Sequence, residues 1–221
     1  MGTLSAVYNI DCMEYMAVVP DKYFDLAVVD VPYTDNYNSM QRLNQDMKGK
    51  VAKVGKYHYG SLINAKPTDE YWKELKRVSK NQIVWGANYL VEYLSSTPCV
   101  IVWDKDNTGN FADCEIAFGT FKTGAKIFKY RWNGMLQQNM KDKEARIHPT
   151  QKPVALYSWI YQNYLPDGGI VLDTHLGSGS NRIAADKAGN IDFVGCELDK
   201  DYFEAQEKRW KEYKQQLTIW G

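Results

Sequence analysis

The sequence contains little cysteine and no long apolar run, and both absences exclude classes of protein. Its four cysteines are Cys12, Cys99, Cys114 and Cys196, and no two of them form a C-x-x-C pair. This spacing argues against a structural zinc site and against a disulfide framework. No run of about 18 apolar residues is present, and the opening MGTLSAVYNID lacks the features of a secretory signal peptide. We therefore expect free thiols, no bound metal, no membrane span and a cytoplasmic location.

The sequence also lacks a net charge, but its charges are unevenly distributed. Lys and Arg together number 27, as do Asp and Glu. Residues 36–66 contain six basic side chains against one acidic, and residues 121–153 contain eight against two. Acidic residues predominate in the rest of the chain, and two positive segments in that setting indicate either a phosphate-binding face or two solvated loops. Charge alone does not separate these interpretations.

The apolar pattern predicts an α/β fold with one large core. Short runs rich in Val and Ile alternate with segments of helical period, which is typical of a mostly parallel sheet with helices on both faces. The predicted strands are AVYNI, FDLAVVDV, QIVWGA, CVIVWD, KIFKYRW, GIVLDTH and DFVGCEL. Helices are predicted after Asp11, over residues 68–80, 152–165 and 200–217, and just before DFVGCEL.

Residues 34–67 interrupt this pattern with a polar, basic segment that contains Gly49, Gly55 and Gly60. A connection of this length is unusual in a compact domain and is typically either functional or disordered. Because it directly follows DVPY at residues 30–33, we expect a lid or a substrate-binding arm.

The segment GIVLDTHLGSGSNRIAADKAGNIDFVGCELD reads as a strand, a tight glycine turn, a helix, a second strand and an acid. Gly177 and Gly179 let the backbone approach a ligand closely, and the amides that open the next helix face that ligand. Glu197 lies 20 residues after Gly177, where a carboxylate can accept hydrogen bonds from ribose hydroxyls. This pattern predicts a cofactor that contains a nucleoside.

Two deviations from the dinucleotide fingerprint narrow the choice of cofactor. The fingerprint needs a small residue where Arg182 stands, and Asp173 just before the turn would repel a pyrophosphate. S-adenosyl-L-methionine carries an ammonium group, a sulfonium and a ribose, so an acid before the turn and another after the next strand suit it. We therefore predict S-adenosyl-L-methionine as the cofactor.

A methyl donor gives the DVPY segment a chemical role. The exocyclic amine of adenine is a poor nucleophile because its lone pair is delocalised into the ring, and acceptors on its hydrogens favour the form that attacks a methyl group. Asp30 can supply one acceptor and the Val31 carbonyl the other, while Pro32 fixes the chain direction. Tyr33 can stack on a base drawn out of the duplex. Without the neighbouring motifs, the same four residues would more often be a turn that ends a strand.

DVPY, HPTQKPVAL and DTHLGSGS followed by CELD resemble the motifs of the amino-group DNA methyltransferases, in the permuted β arrangement where the catalytic motif precedes the cofactor turn. The resemblance covers nearly the whole chain and implies a Rossmann-like fold that acts on double-stranded DNA. It implies a catalytic motif of Asp30, Val31, Pro32 and Tyr33. The implied cofactor-binding residues are Asp11, Cys12, Asp30, His148, Thr150, Gln151, Lys152, Pro153, Asp173, His175, Leu176, Gly177, Ser178, Gly179, Ser180, Asn181, Glu197 and Leu198.

Within that resemblance, each part of the cofactor has its own expected partners. The residues from His148 to Pro153 would hold the methionine part, Glu197 would take the ribose, and Asp11 and Cys12 would lie near the adenine. The family has a second proline where Val31 stands, and usually Pro-Phe where Thr174 and His175 stand. Val31 still offers its carbonyl, so we expect the chemistry to survive.

The first motif residue indicates the target base. Aspartate at this position is typical of adenine-N6 enzymes and serine of cytosine-N4 enzymes, so we predict adenine-N6 methylation. Cytosine-N4 methylation and an inactive DNA-binding relative are the alternatives. Pro98-Cys99 resembles the nucleophile motif of cytosine-C5 enzymes, but Cys99 opens an apolar strand and is interpreted as a buried residue.

DNA recognition is assigned to two segments of one catalytic domain that spans residues 1–221. Residues 121–147 lie where related enzymes carry a target-recognition segment, and Lys129, Arg131 and Gln138 can contact phosphates or base edges there. So short a segment predicts a short or relaxed recognition sequence, or help from a second subunit in a homodimer. The expected phosphate-binding lysines of the basic loop are Lys48, Lys50, Lys53 and Lys56.

Overall fold

The computed structural model describes residues 3–32, 66–107, 112–133 and 136–219. The strands are β1 (Ser5–Tyr8), β2 (Phe24–Val29), β3 (Ser79–Trp85), β4 (Val100–Asp104), β5 (Cys114–Gly119), β6 (Lys126–Lys129), β7 (Trp132–Asn133), β8 (Leu136–Gln137), β9 (Gly169–Asp173) and β10 (Ile191–Cys196). The helices are α1 (Cys12–Ala17), α2 (Asp69–Val78), α3 (Val154–Tyr164), α4 (Ser180–Ala188) and α5 (Lys200–Ile219). A short 3-10 helix spans Ala87–Tyr89.

Within the part of the chain that the structure describes, the main sheet has eight strands in the order β1-β10-β9-β2-β3-β5-β4-β6. β5 runs antiparallel to both of its neighbours, and the other neighbouring pairs are parallel. The chain leaves β9 towards β10 on one side, and it leaves β2 towards β3 on the other. The boundary between β9 and β2 is therefore a topological switch point, where ligands bind beyond the carboxyl ends of the strands in open α/β sheets.

Both faces of the sheet are covered, which explains why its central strands lack an alternating polar pattern. In β2, Leu26 and Val28 contribute to one hydrophobic cluster, and Ala27 and Val29 contribute to the other. The first cluster includes residues from α3 and α4, and the second includes residues from α1 and α2. The mostly parallel Rossmann-like sheet with helices on both faces, which the sequence predicts, is confirmed.

Several element boundaries differ from the sequence predictions. The helix predicted to end at residue 80 ends at Val78, because Ser79 takes an extended conformation and begins β3 directly. The helix predicted from residue 152 begins at Val154, because Pro153 is also extended, with ψ 147°. The predicted strands FDLAVVDV and GIVLDTH end at Val29 and Asp173, so both acids lie at strand ends.

The strand β5 was not predicted from the sequence, and its insertion separates β3 from β4 in the sheet. It lies between β3 and β4, with Ile83 paired to Gly119 and Trp103 paired to Glu115. The predicted strand KIFKYRW forms only β6, and Trp132 belongs to the small β7-β8 hairpin. The recognition segment expected at residues 121–147 thus includes an edge strand of the main sheet.

The basic loop predicted at residues 34–67 lies almost wholly outside the described residues, as do its four predicted phosphate-binding lysines, Lys48, Lys50, Lys53 and Lys56. Among the residues that the structure does describe, no helix is long and apolar enough to cross a membrane. A search of the same residues finds no cluster of three or more His, Cys, Asp or Glu side chains arranged to hold a metal ion.

Candidate active site at the switch point

Asp30 lies directly after β2, at the switch point of the sheet. Its side chain is 15% exposed, and the next residue, Val31, is buried in the hydrophobic cluster that includes α1 and α2. Pro32 follows at intermediate exposure, while Tyr33, the fourth residue of the predicted catalytic motif, lies outside the described residues. The β2 strand therefore places Asp30 at the carboxyl edge of the sheet, where ligands bind in open α/β folds.

Lys152, predicted to hold part of the cofactor, is ion-paired with Asp30 in this structure. Its ammonium nitrogen lies 2.6 Å from Oδ2 of Asp30 and 3.0 Å from Oε2 of Glu115, and its side chain is only 2% exposed. The same nitrogen lies 5.5 Å from the centre of the Trp85 ring, which adds a cation–π contact. A lysine this deeply buried is charged only if anions surround it, and the two carboxylates supply them.

Glu115 connects this pair to a second lysine. Its Oε1 lies 2.5 Å from Nζ of Lys105, which follows β4. Burial alone would raise the pKa of Glu115, but Lys152 and Lys105 outweigh it and lower the pKa to about 2. Burial raises the pKa of Asp30 above its usual value, and Lys152 opposes that increase. Lys152 thus stabilises the ionised form of Asp30 against burial.

The glycine turn between β9 and α4 has the predicted geometry. Gly177 and Gly179 have φ values of 51° and 70°, a left-handed conformation that favours glycine. The backbone N–H of Gly177 donates to Oε2 of Glu197 at 2.8 Å, and Oε1 of Glu197 accepts from the Asp199 backbone at 2.9 Å. Glu197 therefore lies beside the turn, as the spacing predicted, and stabilises the turn by accepting this hydrogen bond from Gly177.

Asp173, at the end of β9, is a buried acid held by neutral donors. Its Oδ2 accepts from the side-chain amide of Asn181 at 2.9 Å, and its Oδ1 accepts from the His175 backbone at 3.1 Å. Burial raises the pKa of Asp173 to about 7 despite these bonds, and the nearby carboxylates of Asp30 and Glu197 add to the increase. Such a group favours a cationic ligand, whose charge would restore the ionised form.

The HPTQKP segment packs over the turn. A Cβ placed on Gly177 would lie 3.6 Å from the imidazole of His148, whose ring also contacts Tyr202 with centroids 4.3 Å apart. Burial lowers the pKa of His148 to about 4, so the imidazole is neutral at pH 7. Thr150 bonds Nδ1 of His148 at 3.1 Å, and the side chain of Gln151 bridges the backbone of Ala145 and Ile147.

Thr174 and His175, the departures from the family pattern, form a small hydrogen-bonded network. Thr174 Oγ1 bonds the hydroxyl of Tyr71 at 2.7 Å and Nδ1 of His175 at 2.9 Å. The His175 ring also packs edge-on against Tyr71. Burial lowers the pKa of His175 to about 4. These contacts agree with a structural role for His175, and a cofactor contact stays a prediction.

The remaining predicted cofactor residues occupy the same edge of the sheet. Asp11 caps α1 by accepting from the Met13 backbone at 2.8 Å, and Cys12 begins that helix. Leu176 is buried in the turn, whereas Leu198 is 56% exposed. Ser178 and Ser180 bond each other through their hydroxyls at 3.0 Å. All four cysteines are free, and Cys99 is fully buried, as predicted.

Two of the predicted DNA-contacting residues of the recognition segment, Lys129 and Arg131, are already paired with an acid. Asp106 accepts from Arg131, and its Oδ1 lies 3.1 Å from Nζ of Lys129. Gln138 Oε1 accepts from the Arg131 backbone at 3.3 Å. The side chains of Lys129 and Arg131 remain 64% and 49% exposed, so phosphates can reach them. Lys48, Lys50, Lys53 and Lys56 lie outside the described residues.

Sequence reasoning missed the residues that support the site from a distance. Glu115 contacts Lys152, and Lys105 contacts Glu115, with Glu115 carried by the β5 strand that is inserted between β3 and β4. Arg209 of α5 donates to the Ser178 carbonyl at 2.8 Å and pairs with Glu144 at 2.7 Å. No local signal marked these residues, since charged side chains are usually solvated wherever they occur in the sequence.

Comparisons with known proteins agree with this architecture. A family model described as DNA methylase (N6_N4_Mtase) matches residues 9–208. The type II methyltransferase M.HinfI of Haemophilus influenzae is 25% identical over 96% of this chain and 69% of its own length. The crystal structure of the M1.HpyAVI–SAM complex has a TM-score of 0.56 at 21% identity, covering 92% of this chain and 98% of its own.

A further solved structure, the cytosine-N4-specific PvuII DNA methyltransferase, has a TM-score of 0.57 at 16% identity, covering 93% of this chain and 86% of its own. At these identities the structural likenesses support the fold, and they do not distinguish an adenine target from a cytosine target. The family match, in contrast, spans most of the sequence and includes the acid after β2, the HPTQKP segment and the glycine turn. The chain therefore belongs to the DNA methylase family.

Proposed function

We propose that this DNA methyltransferase uses S-adenosyl-L-methionine to methylate the N6 amine of adenine in double-stranded DNA, with residues 1–221 acting as one catalytic domain of the permuted β arrangement. The observation that carries the proposal is the position of Asp30. It follows β2 at the switch point, beside the glycine turn that follows β9. A hydrogen-bond acceptor for the target amine would therefore lie next to the proposed cofactor site.

The acids around the turn fit the proposed cofactor. Asp173 is a buried carboxyl suited to an ammonium group, and Glu197 lies where ribose hydroxyls can replace its backbone partners. Asp11 and Cys12, at the start of α1, would lie beside the adenine ring of the cofactor. When bound, S-adenosyl-L-methionine supplies a methyl group on a positively charged sulfur. Residues 148–153 and 176–181, with Leu198, would complete the walls of its site.

The chain's own groups then orient the target. Asp30, paired with Lys152, accepts a hydrogen bond from the adenine amine, and the Val31 carbonyl accepts another. Pro32 limits the conformations of the segment, and Tyr33 stacks on the flipped base. A carboxylate has about four lone-pair sites, so Asp30 can accept from the amine while it is paired with Lys152.

The alternative target is the N4 amine of cytosine, since the fold is shared with a cytosine-N4 enzyme. The decisive experiment expresses the protein in a methylation-free host and analyses digested DNA by mass spectrometry. We expect N6-methyladenine, and none from the Asp30→Ala variant. N4-methylcytosine alone would identify the alternative target. The absence of both bases, with no turnover on mixed-sequence DNA in vitro, would identify an inactive DNA-binding relative.

Two further parts of the proposal come from the sequence. The short recognition segment predicts either a short or relaxed recognition sequence or help from a second copy of the chain, and analytical ultracentrifugation with and without DNA tests for the second copy. We also propose a cytoplasmic location, where bacterial DNA is found, and a role in restriction-modification, which the type II methyltransferase relatives support. Cell fractionation tests the location.

A further inference from the structure

Four charged side chains form a continuous chain that ends at the proposed catalytic acid. Lys105 contacts Oε1 of Glu115, Oε2 of Glu115 contacts Lys152, and Lys152 contacts Oδ2 of Asp30, at 2.5, 3.0 and 2.6 Å. We call this set of four residues the ion-pair chain. Its charges alternate in sign, and its side chains are largely buried. The side chain of Glu115 is 24% exposed, and the other three are less exposed than that.

We propose that Glu115, held by Lys105, is a positioning residue for methyl transfer, because it fixes where Lys152 meets Asp30. The proposal rests on the role of Asp30 in the proposed function. Glu115 does not belong to DVPY, HPTQKP or the glycine turn, and it is joined to Asp30 by an ion pair with their shared partner Lys152. It is therefore a positioning residue and not a catalytic one.

The geometry explains why a second carboxylate is useful. With Asp30 as its only anionic partner, the ammonium of Lys152 would be free to shift along the carboxylate and cover the oxygen that the target amine needs. Glu115 draws the ammonium from the other side and holds it at Oδ2 of Asp30. Misplacement of a reacting group by about 1 Å can cost about 100-fold in rate.

The position of Glu115 is itself fixed by the sheet. Glu115 pairs with Trp103 in the antiparallel register between β5 and β4, and Lys105 lies two residues beyond Trp103. The Lys105 backbone also donates to the Asp113 carbonyl at 2.9 Å, which ties the two strand ends together. The inserted β5 strand thus brings an acid to Lys152 that a fully parallel sheet would not supply.

The ion-pair chain also controls the charge state of Asp30. Among the described residues, the groups that face Asp30 are Lys152 before α3, Glu115 on β5, Lys105 after β4, Asp173 at the end of β9 and Tyr157 on α3. Burial raises the pKa of Asp30 and Glu115 raises it further, whereas Lys152 and Lys105 lower it. Loss of Glu115 and loss of Lys105 therefore change this pKa in opposite directions.

The test measures single-turnover methyl transfer as a function of pH for the natural protein, Glu115→Gln and Lys105→Gln. We expect the plateau rate of Glu115→Gln to fall about 10- to 100-fold, with the cofactor dissociation constant changed by less than about twofold. The acidic limb of its pH profile should move to lower pH, and that of Lys105→Gln to higher pH. A purely structural role would move neither limb.

Glu207→Gln is the matched control. Glu207 is 28% exposed and pairs at 2.5 Å with Arg182, whose side chain is 7% exposed, so this variant also breaks a largely buried ion pair. If Glu115→Gln and Glu207→Gln lower the rate equally and leave the acidic limb unchanged, the proposal is wrong. Thermal unfolding of each variant separates loss of folded protein from loss of rate.

A second measurement does not depend on turnover. The Asp30 carboxyl can be titrated by carbon-13 NMR in the cofactor-free protein, with Asp30→Asn identifying its signal. We expect a lower Asp30 pKa in Glu115→Gln and a higher one in Lys105→Gln. Unchanged titration would overturn the inference even if the natural protein is active. If the natural protein transfers no methyl group to any DNA, the proposed function fails separately.

Discussion

Arg209 and Glu144 form an ion pair at 2.7 Å that connects the last helix to the end of the recognition segment. The same guanidinium donates to the Ser178 carbonyl and to the Ser180 hydroxyl, at 2.8 and 2.9 Å. Glu144 in turn accepts from the Val154 backbone at the start of α3. One arginine therefore links the recognition segment, the α3 terminus and the glycine turn.

We expect Arg209→Ala to weaken cofactor binding about tenfold and to destabilise the fold by about 3 kcal/mol, the usual cost of breaking a buried ion pair. The Arg209 and Glu144 side chains are only 11% and 20% exposed, so solvent screens the pair weakly. Calorimetric titration and thermal unfolding measure the two effects. Arg77→Ala is the control, since Arg77 pairs with Glu74 and Asp21 away from the turn. Equal losses of cofactor affinity in both variants would contradict the link.

The sequence predicted the parts of this site that depend on local structure. Gly177, Gly179 and Glu197 belong to one strand-turn-helix-strand unit, whose geometry follows from residue spacing. Asp30 was equally visible, because it ends an apolar run and precedes a proline. The Lys152–Glu115 contact could not be predicted in this way, because the two residues are 37 positions apart in the sequence. They meet only through the antiparallel strand β5, whose sequence did not indicate a strand.

Asp30→Ala and Glu197→Gln should separate the two halves of the site. Asp30→Ala should abolish methyl transfer and leave the cofactor dissociation constant nearly unchanged, because Asp30 addresses the target amine. Glu197→Gln should raise that constant by about tenfold, since it replaces a charged acceptor for ribose with a neutral one. Calorimetry with the cofactor alone and single-turnover assays at saturating cofactor provide the comparison. Equal losses of cofactor affinity would show that the two functions are not separate.

Cofactor binding should depend on pH through Asp173. Burial raises its pKa to about 7, so the carboxyl is partly protonated at neutral pH in the free protein. A cationic ligand binds the ionised form, and its affinity should therefore rise as pH increases through about 7 and level off above. Asp173→Asn should bind more weakly at pH 8 and lose this dependence. Calorimetry from pH 6 to 8 gives the result, and a pH dependence retained by Asp173→Asn would assign it to another group.

Neutralising Asp106 should free the side chains of Lys129 and Arg131 to contact DNA phosphates. Asp106 pairs with both Lys129 and Arg131 in the free protein. We expect Asp106→Asn to bind all DNA sequences more tightly and to steepen the dependence of log affinity on log salt by about one to two units. Fluorescence anisotropy at several salt concentrations measures the slope. Asp186→Asn, which releases Lys214 on α5, is the charge-matched control. The same slope in both variants would exclude Lys129 and Arg131 from phosphate contact.

The DNA contacts predicted from the sequence have a complementary test. Neutralising Lys48, Lys50, Lys53 and Lys56 together should weaken binding to all sequences and flatten the salt dependence. Substitution of Arg131 or Gln138 should instead change which sequences are methylated. Sequencing for modified bases distinguishes the two effects. If the lysine variant keeps the natural salt slope, the basic loop is not a phosphate-binding arm.

Val31 has two roles that substitution can separate. Its side chain is 1% exposed and packs in the cluster with residues of α1 and α2, whereas its carbonyl is the proposed second acceptor for the amine. Val31→Ala should lower the free energy of unfolding by about 2 kcal/mol through lost packing, and it should keep the natural rate in the protein that remains folded.

Val31→Pro restores the residue that the family usually has, at the cost of one backbone N–H. Pro32 already restricts position 31 to extended conformations, so a proline there changes the backbone little. We expect a methyl-transfer rate within about tenfold of the natural protein, or about 1.4 kcal/mol in the barrier. Single-turnover assays on adenine-containing DNA give this comparison. An inert natural protein beside an active Val31→Pro variant would show that valine disrupts the acceptor geometry and that this chain only binds DNA.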